Sequence, residues 1–462
     1  MRTSSLFLAF LFAGTCNVWA QESVVDADLL ATEQSQQENR AALMAANQHS
    51  INQLDASEAF KKKEDTSTST GEAPLFQEFS FIPMPVLASN PASGFMFGIA
   101  PSMSWLFGDK SSTSRSTLIS TILYTTKKQI LFFVKANVFT KDDSWNVLMD
   151  WRYFSTSQPT YGLGTGPSSS KLAYQNDPDG VNLGTIGFND ASMINGVKDN
   201  SQLMLFDYIR LHQTALKRIG DSRYFAGLGY HLDYHYNIDD QALDLEGDTV
   251  TLTSRYMYAR DKGFELDKTV LSGVSFNALY DSRDNQNFPT SGRYAFASFR
   301  VNPKFLGSSK NSSTLWLEYR DYFNVSKDRP RHLIGIWTYG NFVTSGDVPY
   351  LDLPAVGWDQ FGRSGRGFAQ GRWRGEDLWY GEVEYRFPLQ KNKDTFGGVL
   401  FCNATSASSR TNDIKLFEYV EPSAGFGVRI MLNKSAGTNL TLDYGFGSRG
   451  SHGFYLAVNE VF

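Results

Sequence analysis

The segment Arg223–Tyr236, RYFAGLGYHLDYHY, alternates between two kinds of residue. Its even positions carry the apolar or aromatic side chains Tyr224, Ala226, Leu228, Tyr230, Leu232 and Tyr234. Its odd positions include the polar side chains Arg223, His231, Asp233 and His235. A period of two is that of a β-strand, in which successive side chains point to opposite faces. The segment therefore predicts a strand with one apolar face and one polar face.

The same alternation recurs along most of the chain. In residues 438–446, TNLTLDYGF, the apolar residues again oppose Asn439, Thr441 and Asp443. Fifteen such segments begin near Gly94, Ser114, Ile130, Trp145, Gln202, Arg223, Leu271, Arg293, Thr314, His332, Asp377, Thr395, Ser423, Asn439 and Gly453. Aromatic residues make up 14% of the chain and charged residues 20%, a composition typical of strand-rich proteins. The fold class is predicted to be all-β.

The N-terminal segments indicate where this β protein resides. Residues 1–20 combine Arg2, an apolar stretch and an ending, NVWA, that suits signal peptidase, so residues 1–20 are predicted to be a signal peptide. Residues 21–75 are rich in Ala, Gln, Glu and Ser, which predicts a periplasmic helical or disordered linker. Cleavage after Ala20 leaves Cys402 as the remaining cysteine, so no intramolecular disulfide is expected.

Residues 76–462 are predicted to form an outer-membrane β-barrel. A soluble β-sandwich also alternates, but the signal peptide, the strand length and the aromatic residues near strand ends favour the barrel. The last ten residues, GFYLAVNEVF, place Phe454, Leu456, Val458 and Phe462 on one face. A bacterial barrel needs an even number of strands, so sixteen are expected. The sixteenth is expected within 156–200 or 237–266, where TVTLTSRYMYA is a candidate.

The segment Gly362–Leu389, GRSGRGFAQGRWRGEDLWYGEVEYRFPL, joins a basic loop to a strand. In that strand Trp379, Val383, Tyr385 and Phe387 share the apolar face, whereas Glu382, Glu384 and Arg386 share the other. A charge that faces lipid near the midplane costs about 2–4 kcal/mol, so the second face must point into the lumen. The loop arginines would meet carboxylates if the loop folded back inside.

This segment resembles the BamA/TamA outer-membrane insertase superfamily, which has an Arg-Gly-Phe or Arg-Gly-Tyr tip on a long extracellular loop tucked into the barrel. Other parts agree: LYDSRDNQNFPTSGRY resembles the family's periplasmic turn, PVLASNPASGFMFG its first strand, TYGLGTG an early glycine-rich segment and GFYLAVNEVF its last strand. Residues 21–75 are too short and wrongly patterned for a periplasmic POTRA module. The resemblance therefore implies a barrel-only member of the superfamily in the outer membrane of a Gram-negative bacterium.

The resemblance also implies roles for single residues. Arg366, Gly367 and Phe368 would form the loop tip, and Glu384, with Glu382 beside it, would be the wall carboxylates. The family commonly has an aspartate where this chain has Asn403, which implies a weaker or rewired tether. A lateral seam would open between the first strand, near Gly94–Trp105, and the last, Gly453–Phe462.

Function is expected to be insertion or translocation of proteins or lipids, and the alternatives are a gated or plugged pore or a structural surface antigen. The expected partners are outer-membrane lipid and lipopolysaccharide, the barrel assembly machinery for the protein's own insertion, and unfolded outer-membrane proteins as clients. The net charge is −5, and the sequence has no basic cluster interleaved with aromatic residues that would indicate nucleic-acid binding. No catalytic residue, cofactor or metal is expected, because His231, Asp233 and His235 are better explained as a polar ladder than as an enzyme site.

Overall fold

The computed structural model describes residues 77–167, 193–194, 197–198 and 201–462, apart from residues 84, 91–93, 110, 127, 247–250, 287, 361, 392 and 434–436. The predicted signal peptide, 1–20, and the predicted linker, 21–75, lie outside these residues. The strands of the large sheet belong to one compact unit. No helix in the described part of the chain is long and apolar enough to cross a membrane.

Twenty strands and one α-helix make up the described regular structure. The strands are β1 (Gln77–Ile82), β2 (Pro85–Asn90), β3 (Gly94–Ile99), β4 (Ser102–Leu106), β5 (Ser116–Thr125), β6 (Ile130–Phe139), β7 (Trp145–Thr160), β8 (Met193–Ile194), β9 (Val197–Lys198), β10 (Gln202–Arg218), β11 (Tyr224–Asp240), β12 (Thr269–Asp281), β13 (Gly292–Asn302), β14 (Ser312–Asn324), β15 (Leu333–Gly346), β16 (Asp377–Pro388), β17 (Phe396–Ala407), β18 (Glu421–Asn433), β19 (Thr438–Gly447) and β20 (His452–Val458). The α-helix, α1, is Ser254–Lys262, and short 3₁₀ turns cover Lys141–Asp143, Lys304–Leu306, Tyr350–Asp352 and Ser448–Gly450.

Eighteen of these strands form one antiparallel sheet, and β8 and β9 pair apart from it. β1 pairs with β4 and β2 pairs with β3 in one continuous register, with Ile82 opposite Ser102 and Pro85 opposite Ile99. β1 with β2, and β3 with β4, are therefore the halves of two long strands, so the eighteen segments amount to sixteen long strands. From β5 onward each strand of the sheet pairs with the next, which gives the meander of a transmembrane barrel.

The sheet is not closed. Among the described residues, β20 pairs with β19 alone, and the long strand made of β1 and β2 pairs only with β4 and β3. These two edges define the seam of the barrel.

All fifteen predicted strands are present, and each begins within two residues of its predicted start. The sixteenth was misplaced. The candidate TVTLTSRYMYA ends in α1, because the Thr253 hydroxyl caps the helix by accepting a hydrogen bond from the backbone N–H of Tyr256. The missing strand is Gln77–Asn90, so the segment Gly94–Trp105, expected to be the first strand, belongs to the second.

Side chains separate by face as the alternation predicts, except at the C-terminus. In β16, Val383 and Tyr385 are exposed whereas Glu382, Glu384 and Arg386 are buried on the inner face. Phe454 and Leu456 of β20 are exposed on the outer face, but Phe462 is buried, contrary to the prediction. The alternation breaks at Asn459, whose φ of 65° is left-handed.

The two ends of the barrel differ in the length of their connections. At one end the connections include 161–201, 241–268 and 347–376, whereas at the other end the longest is the ten-residue turn 282–291. Outer-membrane barrels have short periplasmic turns and longer extracellular loops. The end with the short turns is therefore periplasmic, and the loop 347–376 starts from the extracellular end.

Candidate functional site

The loop 347–376 joins β15 to β16 and folds back against the inner face of the sheet. We call it the arginine loop. Its tip lies against β18 and β19 so closely that a side chain at Gly367 would not fit: a Cβ there would lie 2.1 Å from the Ser423 hydroxyl. Gly367 also has a φ of 107°, which other residues rarely adopt. Gly445 of β19 faces the tip, and a Cβ at Gly445 would lie 2.6 Å from the Gly367 nitrogen.

Arg366 lies at the centre of the site and is 2% exposed. Its guanidinium donates to Glu382 Oε1 at 2.5 Å, to Glu384 Oε1, and to Asp443 Oδ2 at 2.5 Å. The ring of Phe401 lies 3.7 Å from the guanidinium carbon. A buried arginine is costly unless carboxylates neutralise it and accept its hydrogen bonds. Three carboxylates on two separate strands meet that requirement here.

Two wall arginines extend this network. Arg386 Nε donates to Glu384 Oε2 at 2.6 Å, and Arg429 donates to Asp443 Oδ1 at 2.5 Å and to Glu460 Oε2 at 2.8 Å. The network thus has three guanidinium groups and four carboxylates, and all of these side chains are buried. We call this set the arginine–carboxylate network: Arg366, Arg386, Arg429, Glu382, Glu384, Asp443 and Glu460.

Asn403 lies on β17 directly opposite Glu382. Its side-chain nitrogen donates to the backbone carbonyl of Arg366 at 3.0 Å, and the Ser423 hydroxyl donates to the same carbonyl. Asn403 therefore contacts the main chain of the loop tip rather than the guanidinium. The charge that is missing at position 403 is present at Asp443, two strands further on.

The arginine loop also contacts the last strand. The Gly367 N–H donates to the Tyr455 hydroxyl at 2.8 Å, and that hydroxyl donates to the Phe368 carbonyl at 2.9 Å. Arg363 donates to the carbonyl of Val458 at 2.5 Å and to that of Glu460. The loop tip therefore holds β20, one edge of the seam, from inside the barrel.

The predicted seam residues occupy different places. Gly453 lies in β20, where it pairs with Gly445 of β19. Phe462 lies beyond the strand and inside the barrel, with its ring 5.5 Å from that of Trp337. Arg386 donates to its backbone carbonyl at 2.9 Å.

The remaining arginines of the loop, of which Arg374 is buried and Arg363 and Arg372 are half-buried, differ from Arg366 in their partners. Arg374 donates to the carbonyls of Tyr350 and Leu351, both at 2.8 Å. Burial lowers the pKa of Arg374, and it lowers the pKa of Arg363 to about 10. Arg363 therefore keeps its charge near neutral pH. Arg372 lies over the rings of Trp373 and Tyr161 at 4.2 and 4.6 Å.

The histidine-containing ladder on β11 is a second buried polar cluster. Asp233 accepts hydrogen bonds from Tyr208, Arg210 and Arg300, and lies 2.8 Å from His212 Nε2. His231 contacts the Ser275 hydroxyl at 2.7 Å. No group of three or more His, Cys, Asp or Glu side chains suitable for a metal occurs among the described residues.

Sequence reasoning did not identify Asp443, Arg429, Tyr455 and Glu460 as parts of the site. A signal for Asp443 was present, because the alternation of TNLTLDYGF puts it on the polar face. No local pattern indicates that Tyr455 meets a loop almost ninety positions away in the chain, since that contact depends on how far the loop enters the barrel.

Comparisons with known proteins cover most of the sheet, and the family comparison covers its C-terminal part. The Omp85 superfamily domain model matches residues 209–462, which is more than half of the 462-residue chain. The fold is similar to BamA from Haemophilus ducreyi lacking POTRA domains 1–3, with a TM-score of 0.49 and 14% identity over 83% of this chain and 70% of that one. It is also similar to CdiB from Acinetobacter baumannii, with a TM-score of 0.46 and 10% identity over 82% of this chain and 59% of CdiB. No curated protein matches the sequence significantly.

Proposed function

Because the chain belongs to the Omp85 superfamily, whose barrels are integral to the outer membrane of Gram-negative bacteria, we propose that it assists the insertion or translocation of proteins or lipids across that membrane. The seam between β20 and the long strand of β1 and β2 is the proposed exit. Outer-membrane machinery and unfolded outer-membrane proteins are the proposed partners, and the proposed role is not enzymatic.

The observation that carries this proposal is the open seam. A sheet edge inside a bilayer leaves backbone N–H and C=O groups without water or strand partners, which costs several kcal/mol for each group. An incoming strand that pairs with the edge removes this cost. An edge that accepts an incoming strand is suited to a protein that helps other barrels to insert.

The arginine loop is the proposed control on that edge. The loop is bound to the wall through Arg366 and to β20 through Tyr455 and Arg363. A displacement of the loop tip would therefore release β20 from its inner support, and a fixed loop would keep β20 in place.

The test is the rate at which a small unfolded barrel protein inserts into liposomes that contain the purified mature protein. Empty liposomes give the background, and Arg366→Ala removes the central tie of the loop. Arg372→Ala is the matched control, because it removes a loop arginine that lies over the rings of Trp373 and Tyr161. We expect the wild-type protein to accelerate insertion relative to empty liposomes. We expect the insertion rate to differ from wild type in Arg366→Ala but not in Arg372→Ala.

An absence of acceleration would contradict the proposal and favour a plugged pore. One observation favours that second candidate: a cavity of about 220 Å³ remains between the arginine loop and the wall, lined by polar groups such as Arg210, Asn277 and Arg300. A wetted interior of this kind would conduct ions if the loop moved. Single-channel recording separates the two functions, because a pore conducts without any client and its conductance rises when Arg366 is replaced.

A further inference from the structure

A buried histidine and a buried aspartate meet where the arginine loop packs against the wall of the barrel. His235 lies on β11 and is 1% exposed. Its Nδ1 lies 3.4 Å from Oδ1 of Asp352, whose side chain is 3% exposed and belongs to the 3₁₀ turn Tyr350–Asp352 of the loop. The pair joins the loop to the wall without any member of the arginine–carboxylate network.

Within the described part of the chain, no hydrogen bond reaches either ring nitrogen of His235 or Oδ2 of Asp352. The 3.4 Å contact between them is longer than an ordinary N–H···O hydrogen bond, which spans about 2.7–3.2 Å. Buried polar groups in folded proteins are almost always hydrogen-bonded. An ionised Asp352 is therefore costly at this position unless a cation lies beside it.

The other ionisable groups of the wall near His235 are paired with one another. Tyr208 of β10 stacks on the His235 ring at 4.2 Å and donates its hydroxyl to Asp233. Three further side chains bind Asp233, which lies two residues before His235 on the same face of β11: Arg210, His212 and Arg300. On β12, His235 is opposite Thr269, which carries no charge. The wall cations near the pair are thus bound to Asp233, and His235 is the wall group that contacts Asp352.

One cation of the loop itself acts on Asp352. Arg374 interacts electrostatically with that carboxylate, but its guanidinium donates to the carbonyls of Tyr350 and Leu351, both at 2.8 Å. Because these bonds tie Arg374 to the same turn as Asp352, the two groups stay together whether the loop lies against the wall or away from it. His235 is the partner that Asp352 gains when the loop docks.

We propose that the arginine loop takes up one proton when it docks against the wall, and that His235 and Asp352 share this proton. In water at neutral pH an aspartate is ionised and a histidine is mostly uncharged. Buried together, the pair requires one proton, as imidazolium beside carboxylate or as imidazole beside carboxyl, because an uncompensated buried carboxylate is costly. The pair is therefore a pH-sensitive latch between the loop and the wall.

Low pH tightens this latch. The docked loop binds one proton more than the undocked loop, so docking is favoured as the pH falls. The gain levels off below about pH 6.5, where an exposed histidine binds a proton as well. Between pH 7.5 and pH 5.5 these two relations give about a tenfold increase in the docking equilibrium constant. The latch concerns the position of the loop and does not depend on what the barrel transports.

The test is hydrogen exchange of the purified protein in nanodiscs at pH 5.5 and pH 7.5, with each amide corrected for the intrinsic pH dependence of exchange. Peptides from 347–360 report rare undocking of the loop, and a peptide from β14 is the internal reference. In the wild type we expect the protection of 347–360 relative to β14 to be about tenfold higher at pH 5.5. Asp352→Asn removes the carboxylate but keeps its shape, so its loop should be equally protected at both pH values.

Asp359→Asn is the matched control, because Asp359 is also a buried loop carboxylate but accepts hydrogen bonds from the N–H groups of Arg363 and Ser364. It should change the protection by the same factor at both pH values and leave their ratio intact. The double variant His235→Phe, Asp352→Asn keeps a ring beside Tyr208 and holds no titratable group in the pair, so it should also show no pH dependence. The heat-modifiable gel band verifies that each variant is folded.

Two results would overturn the proposal. The first is a wild-type loop that is equally protected at both pH values, or better protected at pH 7.5. The second is a tenfold ratio that survives in Asp352→Asn and in the double variant, because the proton would then bind to another group, such as the pair His212 and Asp233. In that case Asp352 would have a structural role alone, and its replacement would shift the protection by one factor at both pH values.

Discussion

At the scale of single residues, Arg366 is the cation on which the inner network depends. Arg366→Ala would leave Glu382, Glu384 and Asp443 buried with one cation fewer. Removing one partner of a buried ion pair costs about 3–5 kcal/mol. We expect the barrel to fold but to lose its compact, heat-modifiable gel band at a lower temperature than the wild type.

Arg366→Lys is the informative companion to that variant. Lysine keeps the charge but loses the planar fork that reaches two strands at once, so its transition should lie between those of wild type and Arg366→Ala. An identical transition in all three proteins would mean that the loop is not anchored on the wall.

For Asn403→Asp the structure predicts a loss of stability, whereas the family resemblance would predict a gain. The resemblance to the BamA/TamA superfamily implies an aspartate here, so Asn403→Asp looks like the restoration of a tether. In the structure the Asn403 nitrogen donates to the Arg366 carbonyl, and Glu382 lies directly opposite. Aspartate cannot donate and would place a like charge beside Glu382. We expect Asn403→Asp to destabilise the barrel by about 1–3 kcal/mol, measured by the same gel shift in urea.

Asn403→Ala separates the two causes of that loss, because it removes the donor without adding a charge. A barrel that is more stable as Asn403→Asp than as wild type would show that Arg366 can recruit a fourth carboxylate. Arg366 was indicated by the resemblance to the family's Arg-Gly-Phe loop tip, and Glu382 and Glu384 by that resemblance together with the alternation of their strand. The sequence did not indicate Asp443, because the strand that reaches Arg366 from the other side depends on the loop's depth.

At the scale of elements, the alternation of apolar and polar residues located fifteen strands but not the first. Gln77–Asn90 lies next to the linker-like segment and contains Pro83 and Pro85, which weaken a strand pattern. Conversely, TVTLTSRYMYA has β-branched residues typical of a strand, yet Thr253 ends the extended stretch by capping α1. At Thr253 helix capping outweighs the strand propensity of the β-branched residues. At Gln77–Asn90 the position at the sheet edge permits a strand in spite of the two prolines.

The contact between the arginine loop and β20 yields a prediction at this scale. Tyr455→Phe keeps the ring but removes the hydroxyl that links the Gly367 N–H and the Phe368 carbonyl. Each backbone group then loses a partner, at a cost of about 1–3 kcal/mol. We expect β20 to become more mobile, and the insertion of a client into liposomes to speed up if release of this strand is the slow step.

Tyr444→Phe is the matched control, because Tyr444 packs with Phe446 and Phe454 on the outer side of the same hairpin. It should leave both the mobility and the insertion rate unchanged. Equal mobility of β20 in Tyr455→Phe and wild type would show that the Tyr455 hydroxyl does not hold the strand.

At the scale of the whole molecule, the open seam predicts unequal stability around the sheet. The strands β13–β15 have hydrogen-bonded neighbours on both sides, whereas among the described residues β20 pairs with β19 alone and the long strand of β1 and β2 pairs only with β4 and β3. Local opening costs least where the fewest contacts must break. In hydrogen exchange measured in nanodiscs, we expect peptides from Gln77–Ile82 and His452–Val458 to exchange well before peptides from β13–β15. The Tyr455→Phe variant should accelerate exchange in β20 and leave β14 unchanged. Equal protection of β20 and β14 would mean that the seam pairs in the bilayer, and the exit for clients would have to lie elsewhere.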